Sequence, residues 1–207
     1  MSNFITFLVA FVYFLVLQLL DWDNILTIGM GVVIILAGVL YPLLKNSMWE
    51  TRVEKLENFL LKNKNKPDFY IIYALANELD EEVKANTELL LKRASSSHRK
   101  ALYKVVEALY FKNIDVAKYE VEKIKPGDYR FYYEAKILLE EGNIESANKV
   151  IDQISKPWMK HALLAEQERR LNHPDQAKRY AQLAKQQTKG LQRYLLHKTY
   201  QREFGTD

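Results

Sequence analysis

Apolar positions follow two different regimes along the chain. From Phe4 to Leu20 and from Ile25 to Leu44 they are nearly continuous, broken only by Thr6 and Gln18 in the first run and Thr27 in the second. From Pro67 to Glu203 they recur instead at the three-to-four spacing of amphipathic helices. A helix crossing the hydrocarbon core needs roughly 17–25 apolar residues. The two runs therefore predict a transmembrane hairpin over residues 1–46, turning at Asp21-Trp22-Asp23-Asn24 and in contact with the bilayer through residues 4–44. Trp22 and Tyr41 are the amphipathic aromatics expected at the two interfaces.

The flanks set an orientation. The turn carries two Asp and no Lys or Arg, whereas Lys45, Arg52 and Lys55 follow the second run. Positive charge stays on the cytoplasmic side, so both termini and everything after residue 46 are expected in the cytoplasm of a multi-pass cell-membrane protein. With no convincing small-residue cleavage site, a cleaved signal peptide is not expected. Neither run contains a charge, which leaves no proton relay or ion path. Gly29, Gly31, Ala37 and Gly38 give the second span a small-residue face through which it could pack or form a homo-oligomer.

Residues 47–66 predict an amphipathic connector. Ser47-Met48-Trp49-Glu50 has capping-box spacing, and Val53, Leu56, Phe59 and Leu60 share one face. That stripe is expected to pack on the first repeat; the other possibility is a helix lying on the membrane surface. Asn63-Lys64-Asn65-Lys66-Pro67 then breaks the helix.

The helical domain, residues 67–207, is organised by a recurrence. Lys112-Asn113-Ile114-Asp115-Val116-Ala117 is echoed by Gly142-Asn143-Ile144-Glu145-Ser146-Ala147 and by Asn172-His173-Pro174-Asp175-Gln176-Ala177. The alanines at 117, 147 and 177 repeat every thirty residues, and a fixed period in this range marks stacked helical hairpins. The expected pairs are 98–111 with 115–125, 129–141 with 145–155, and 158–171 with 175–187. An irregular pair precedes them and a closing helix, 190–203, follows.

Gly142 to Ala147 resembles the turn and second-helix start of a tetratricopeptide (TPR) repeat. In that register the family's small first-helix position falls on Val105, Ala135 and Ala165, with Leu195 in the closing helix. The later apolar positions of its second helix fall on Val121 and Ile124, Ile151 and Ile154, and Ala181 and Ala184. The chain departs from the family in its shorter period and in Ala101, Phe131 and His161 at the tryptophan position. Ala108, Leu138 and Glu168 replace the tyrosine. The resemblance covers about residues 98–187. The fold class expected is thus all-α, two transmembrane helices followed by a TPR-like α-solenoid of stacked antiparallel helix pairs. It implies a scaffold or adaptor that docks a protein or peptide partner.

Composition agrees with helices: in 207 residues there are 7 Gly and 5 Pro, the residues that most disfavour them. There is no cysteine, which rules out disulfides and thiolate metal sites. The net charge of +4 is uneven. Residues 160–207 carry ten Lys/Arg against five acids, while residues 67–159 carry fourteen against sixteen. His98, His161, His173 and His197 form no HExxH or other ligand pair, and no phosphate-binding loop or nucleophile elbow occurs. Neither catalysis nor a cofactor is expected.

Two sets of candidate binding residues remain. Stacked hairpins present an inner face built mainly from their first helices, and Tyr and Arg are frequent interface anchors. Tyr103, Arg130, Tyr133 and Lys136 are the expected lining of a partner groove. Because Phe131, Tyr132 and Tyr133 are consecutive and must fan around their helix, at least one is expected on the surface. The alternative is a basic surface of Arg169, Arg170, Lys178, Arg179, Lys185, Lys189 and Arg193 for nucleic acid or anionic lipid. Those residues alternate with Gln and Ala rather than with exposed aromatics, so nucleic acid is the less expected partner.

Overall fold

The computed structural model describes residues 43–205, together with residues 11, 12, 29, 31–33, 36, 38 and 41. Most of the two apolar runs, and with them the proposed self-association through the second, lies outside the described residues. Among the described residues no helix is long and apolar enough to cross a membrane. The longest helix among the described residues has 15 residues and rises about 22 Å at 1.5 Å per residue, short of the ~30 Å hydrocarbon core. It also carries Arg193, Lys198 and Arg202. The expected transmembrane hairpin, its bilayer contact and the multi-pass location with cytoplasmic termini are accordingly withdrawn.

After a single π-helical turn, Lys45–Trp49, ten α-helices follow. They are α1 Val53–Lys62, α2 Pro67–Ala76, α3 Asp80–Arg93, α4 Ser97–Tyr110, α5 Ile114–Val121, α6 Asp128–Glu140, α7 Ile144–Ile151, α8 Pro157–Arg170, α9 Pro174–Gln186 and α10 Gly190–Phe204. The capping box is not formed. Ser47 lies in the π turn and its hydroxyl donates back to Leu43 O at 2.8 Å. Glu50 instead gathers the amides of Thr51 and Arg52 at 3.0 and 3.1 Å. It also takes the Arg52 guanidinium, with both bonds at 3.0 Å.

The thirty-residue echo is one turn built three times. Lys112, Gly142 and Asn172 adopt left-handed φ of 56°, 76° and 59°. The next amides, of Asn113, Asn143 and His173, return to Ala108, Leu138 and Glu168 carbonyls at 2.7–2.9 Å, closing Schellman motifs. Asn113 and Asn143 then cap the following helices by accepting from Val116 N and Ser146 N, each at 3.2 Å. His173 has no such cap bond, and Pro174 begins α9 in its place. Ala117, Ala147 and Ala177 are fully buried, because the return helix crosses its partner there. The same turn occurs a fourth time between α2 and α3. Glu78 has φ 54°, Leu79 N bonds Ala74 O at 3.0 Å, and Val83, fully buried, takes the alanine's place.

The hairpins do not form an open array. Each packs on the next, and α10 turns back onto α1 and α2. Tyr194 of α10 is fully buried with Leu56, Leu60 and Ala76, so the connector's apolar stripe packs on the closing helix as well as on α2. Asn77 Nδ2 donates to the Tyr194 hydroxyl at 3.0 Å, and that hydroxyl donates to Glu57 at 3.1 Å. Arg202 donates to Ala76 O at 3.0 Å and pairs with Glu78 at 2.9 Å. The result is a closed ring of helices. The expected TPR-like solenoid is corrected on this point: the helix pairs close back on themselves around a cavity that is open to solvent, and the family's signature aromatic positions are filled by other residues.

Candidate functional site

Ring closure leaves a chamber of about 660 Å³ at the centre, within the range of ligand-binding pockets. Its wall comes from the first helices of the hairpins and from α10. The periodicity that makes the turns also makes this wall. Val106, Lys136, Glu166 and Leu196 stand thirty residues apart on α4, α6, α8 and α10, and all four line the chamber. One helical turn further on, Tyr110, Glu140 and Tyr200 occupy three of the four positions of a second layer in the same register.

The two expected groove residues on the middle of α6 are here. Tyr133 and Lys136 line the chamber together with Tyr132, being three or four apart on one helix face. Tyr132 and Tyr133 meet edge to face at 5.3 Å between ring centres. The other two are elsewhere. Tyr103 packs on the Ile71, Ala74, Val83 and Leu90 cluster formed with α2 and α3. Arg130, in the first turn of α6, pairs with Glu122 at 2.6 Å. Phe131, Tyr132 and Tyr133 are all half-buried. The aromatic expected on the surface is absorbed because the ring gives the helix apolar neighbours on both sides and a chamber between them.

The charges of the wall are mostly paired. Glu166 accepts Arg169 at 2.7 Å and Arg170 at 2.6 Å, and Arg170 reaches Glu140 at 2.5 Å. Asp80 accepts the Tyr110 hydroxyl at 2.5 Å. Lys136 enters none of the direct ion pairs among the described residues. Burial works against its charge, but Tyr132, Glu166, Glu203 and Glu140 outweigh that cost and hold its pKa above the usual lysine value. Burial also pushes Glu166 up, yet Lys136, Arg169 and Arg170 prevail and keep its carboxyl below the usual range. Glu203 is raised, first by burial and then by Glu166. Desolvation likewise raises the phenols of Tyr110, Tyr133 and Tyr200.

The basic set is divided by the fold. Arg169 and Arg170 are drawn to the chamber edge by Glu166 and Glu140. Arg193 donates to Thr51 O at 2.9 Å and to Lys185 O at 2.8 Å, clamping the ring seam. Lys178 and Arg179 stand exposed on α9, Arg179 with a 3.4 Å bond to Gln176, while Lys185 is half-buried near the end of that helix. Lys189 precedes α10. Among the described residues no cluster of three His, Asp or Glu able to hold a metal is present.

Of the chamber residues absent from the expected set, Val106, Glu166 and Leu196 lie on the thirty-residue register extended from Lys136 in both directions, and Tyr200 lies one helical turn beyond Leu196. The first-helix face was instead chosen by its aromatics. No family model, no curated protein and no solved structure matches the chain. The TPR resemblance therefore finds no support beyond the local turn.

Proposed function

We propose that this protein is a binding module whose helix ring docks a segment of a protein partner in its central chamber. The observation that carries this reading is the 660 Å³ chamber itself, which combines Leu75, Val106, Leu109 and Leu196 with Tyr132, Tyr133 and Lys136. The wall is mixed: these apolar and aromatic residues stand beside Glu78, Asp80, Glu140, Glu166, Arg202 and Glu203, and polar groups set among apolar ones fix a ligand's orientation. A surface interaction through the basic residues is less favoured, since Arg169, Arg170 and Arg193 are held in internal bonds.

The test is site-specific photocrosslinking in the cells that make the protein. A photoreactive phenylalanine is placed at Thr199, in the chamber wall, or at Tyr119, which is 68% exposed on the outer α5. The docking reading expects a discrete crosslinked partner from Thr199, lost when Ala162→Trp fills the chamber, and none from Tyr119. Equal products from both positions, or none from Thr199, would sink it.

A further inference from the structure

The chamber wall is built unevenly along the helices that form it. Of the six contributing helices, three supply mainly residues from their C-terminal halves: Leu75 of α2, Val106, Leu109 and Tyr110 of α4, and Thr199, Tyr200, Arg202 and Glu203 of α10. Helices α6 and α8 contribute from both halves, and α3 contributes its first residue, Asp80. Helix C-termini carry partial negative charge, about half a unit each, from unsatisfied carbonyls. Three such ends meet around one space, with the N-terminus of α3, of opposite partial charge, beside them at Asp80.

The side chains point the same way. Pairing disposes of Glu140 and Glu166 with Arg169 and Arg170, and of Glu78 with Arg202. Asp80, whose partner is the neutral Tyr110 hydroxyl, and Glu203 remain as acids, against Lys136. Tyr110, Tyr132, Tyr133 and Tyr200 add four phenol rings to the wall, and ring faces attract cations. We infer that the chamber recognises an organic cation, an alkylammonium or guanidinium group carried on an apolar stem. Lys136 acts as a resident example. It is charged without a direct ion pair, and the field of the wall outweighs its burial.

The site is much larger than one lysine side chain, so Val106, Leu109, Leu195 and Leu196 are left to cover apolar groups beside the cation. This inference rests on the docking reading, and it specifies what the docked segment must carry. The same chemistry could arrive as a basic side chain of a peptide or as a free polyamine.

Calorimetric titration of the full-length chain separates these outcomes. The probes are N-acetyl-Leu-Lys-Leu-amide, the same peptide with the lysine Nε-acetylated, and spermidine. The lysine peptide is expected to bind roughly tenfold or more tighter than its acetylated form and to weaken with salt. Glu203→Gln should remove most of that difference while leaving the thermal midpoint at pH 7 unchanged or higher, which a merely structural role would not do. Spermidine binding that Ala162→Trp abolishes, with no peptide binding, would keep the cation site and sink the docking reading. Equal binding of both peptides, or indifference to Glu203→Gln, would overturn the cation site while leaving docking intact. No binding of any probe would overturn both.

Discussion

The backbone amide of Gly190 donates to the carbonyl of Glu50 at 2.7 Å, fastening the start of the closing helix to the chain that enters the connector. Gly190 has φ +59°, and a Cβ there would run into the backbone of Ser47 and come within 2.8 Å of Met48 Cα. Backbone cannot yield as a flexible side chain can. Gly190→Ala should therefore cost about 2–4 kcal/mol, from left-handed strain plus overpacking. Urea denaturation would register the loss, and a change under 1 kcal/mol would mean that the seam is not packed this closely.

The shared turn gives a pair of predictions with opposite signs. Gly142→Ala places a Cβ at φ +76° in open space, so only the conformational penalty applies, about 1 kcal/mol. Lys112→Gly relieves that penalty at the equivalent position, φ +56°, and should gain a few tenths to 1 kcal/mol. Thermal unfolding of both variants checks the symmetry. A stabilising Gly142→Ala would contradict it.

Among the described residues Tyr194 is the largest fully buried side chain, and it joins Asn77 to Glu57 through its hydroxyl. Tyr194→Phe keeps the packing and takes one bond from each partner, leaving Asn77 with Tyr73 O at 2.9 Å and Glu57 with Lys198 at 3.3 Å, for an expected loss of about 1 kcal/mol. Burial together with Glu57 raises this phenol, so the hydroxyl is neutral and donating throughout the working pH range. A neutral effect of the substitution in equilibrium denaturation would show that the bond contributes nothing.

Two chamber carboxylates should respond to pH with opposite signs. Glu166 has a folded pKa below its unfolded value, so its stabilisation is complete above the unfolded pKa and is lost as pH falls through the folded one. Glu166→Gln should cost roughly 1–3 kcal/mol at pH 7, less than a fully buried pair because Arg169 keeps contact with water. The deficit should shrink in acid. Glu203 has a folded pKa above its unfolded value. Its protonated form favours the fold, and that contribution disappears as pH rises through the folded pKa. Glu203→Gln should raise the thermal midpoint at pH 7 and make no difference well below the usual carboxylate range. Melting curves across pH 3–8, values set by the reference carboxyl pKa of about 4, test both signs.

The turns were legible in the sequence because a left-handed residue, a capping Asn and a buried Ala are local requirements, met within six residues. The fourth copy, at Asn77 to Val83, was not, since it stands thirty-four rather than thirty residues before its counterpart and valine replaces the alanine. Helix positions followed from spacing, whereas ring closure did not. It depends on the rotation that each hairpin adds to the last, and no short segment encodes that sum. Gly190 reads locally as a helix boundary, and its contact with Ser47 exists only once the ring is shut. Tyr133 and Lys136 were legible as one face of a helix. Tyr103, though thirty residues before Tyr133, packs toward α2 and α3 because the leading hairpin joins the array differently from the later ones. The hydrophobicity of residues 4–44 suggested membrane spans, and among the described residues no helix has the length for one.

Closure of the ring carries the rest, because an open array would have no chamber and no meeting of helix ends. Nuclear Overhauser contacts between the Tyr194 ring and the Ala76 methyl group test it most directly, since the two are fully buried in one cluster. The closed ring predicts strong cross-peaks from Tyr194 to Ala76, Leu56 and Leu60. Cross-peaks from Tyr194 to neighbouring residues of α9 alone, with none to α1 or α2, would contradict it.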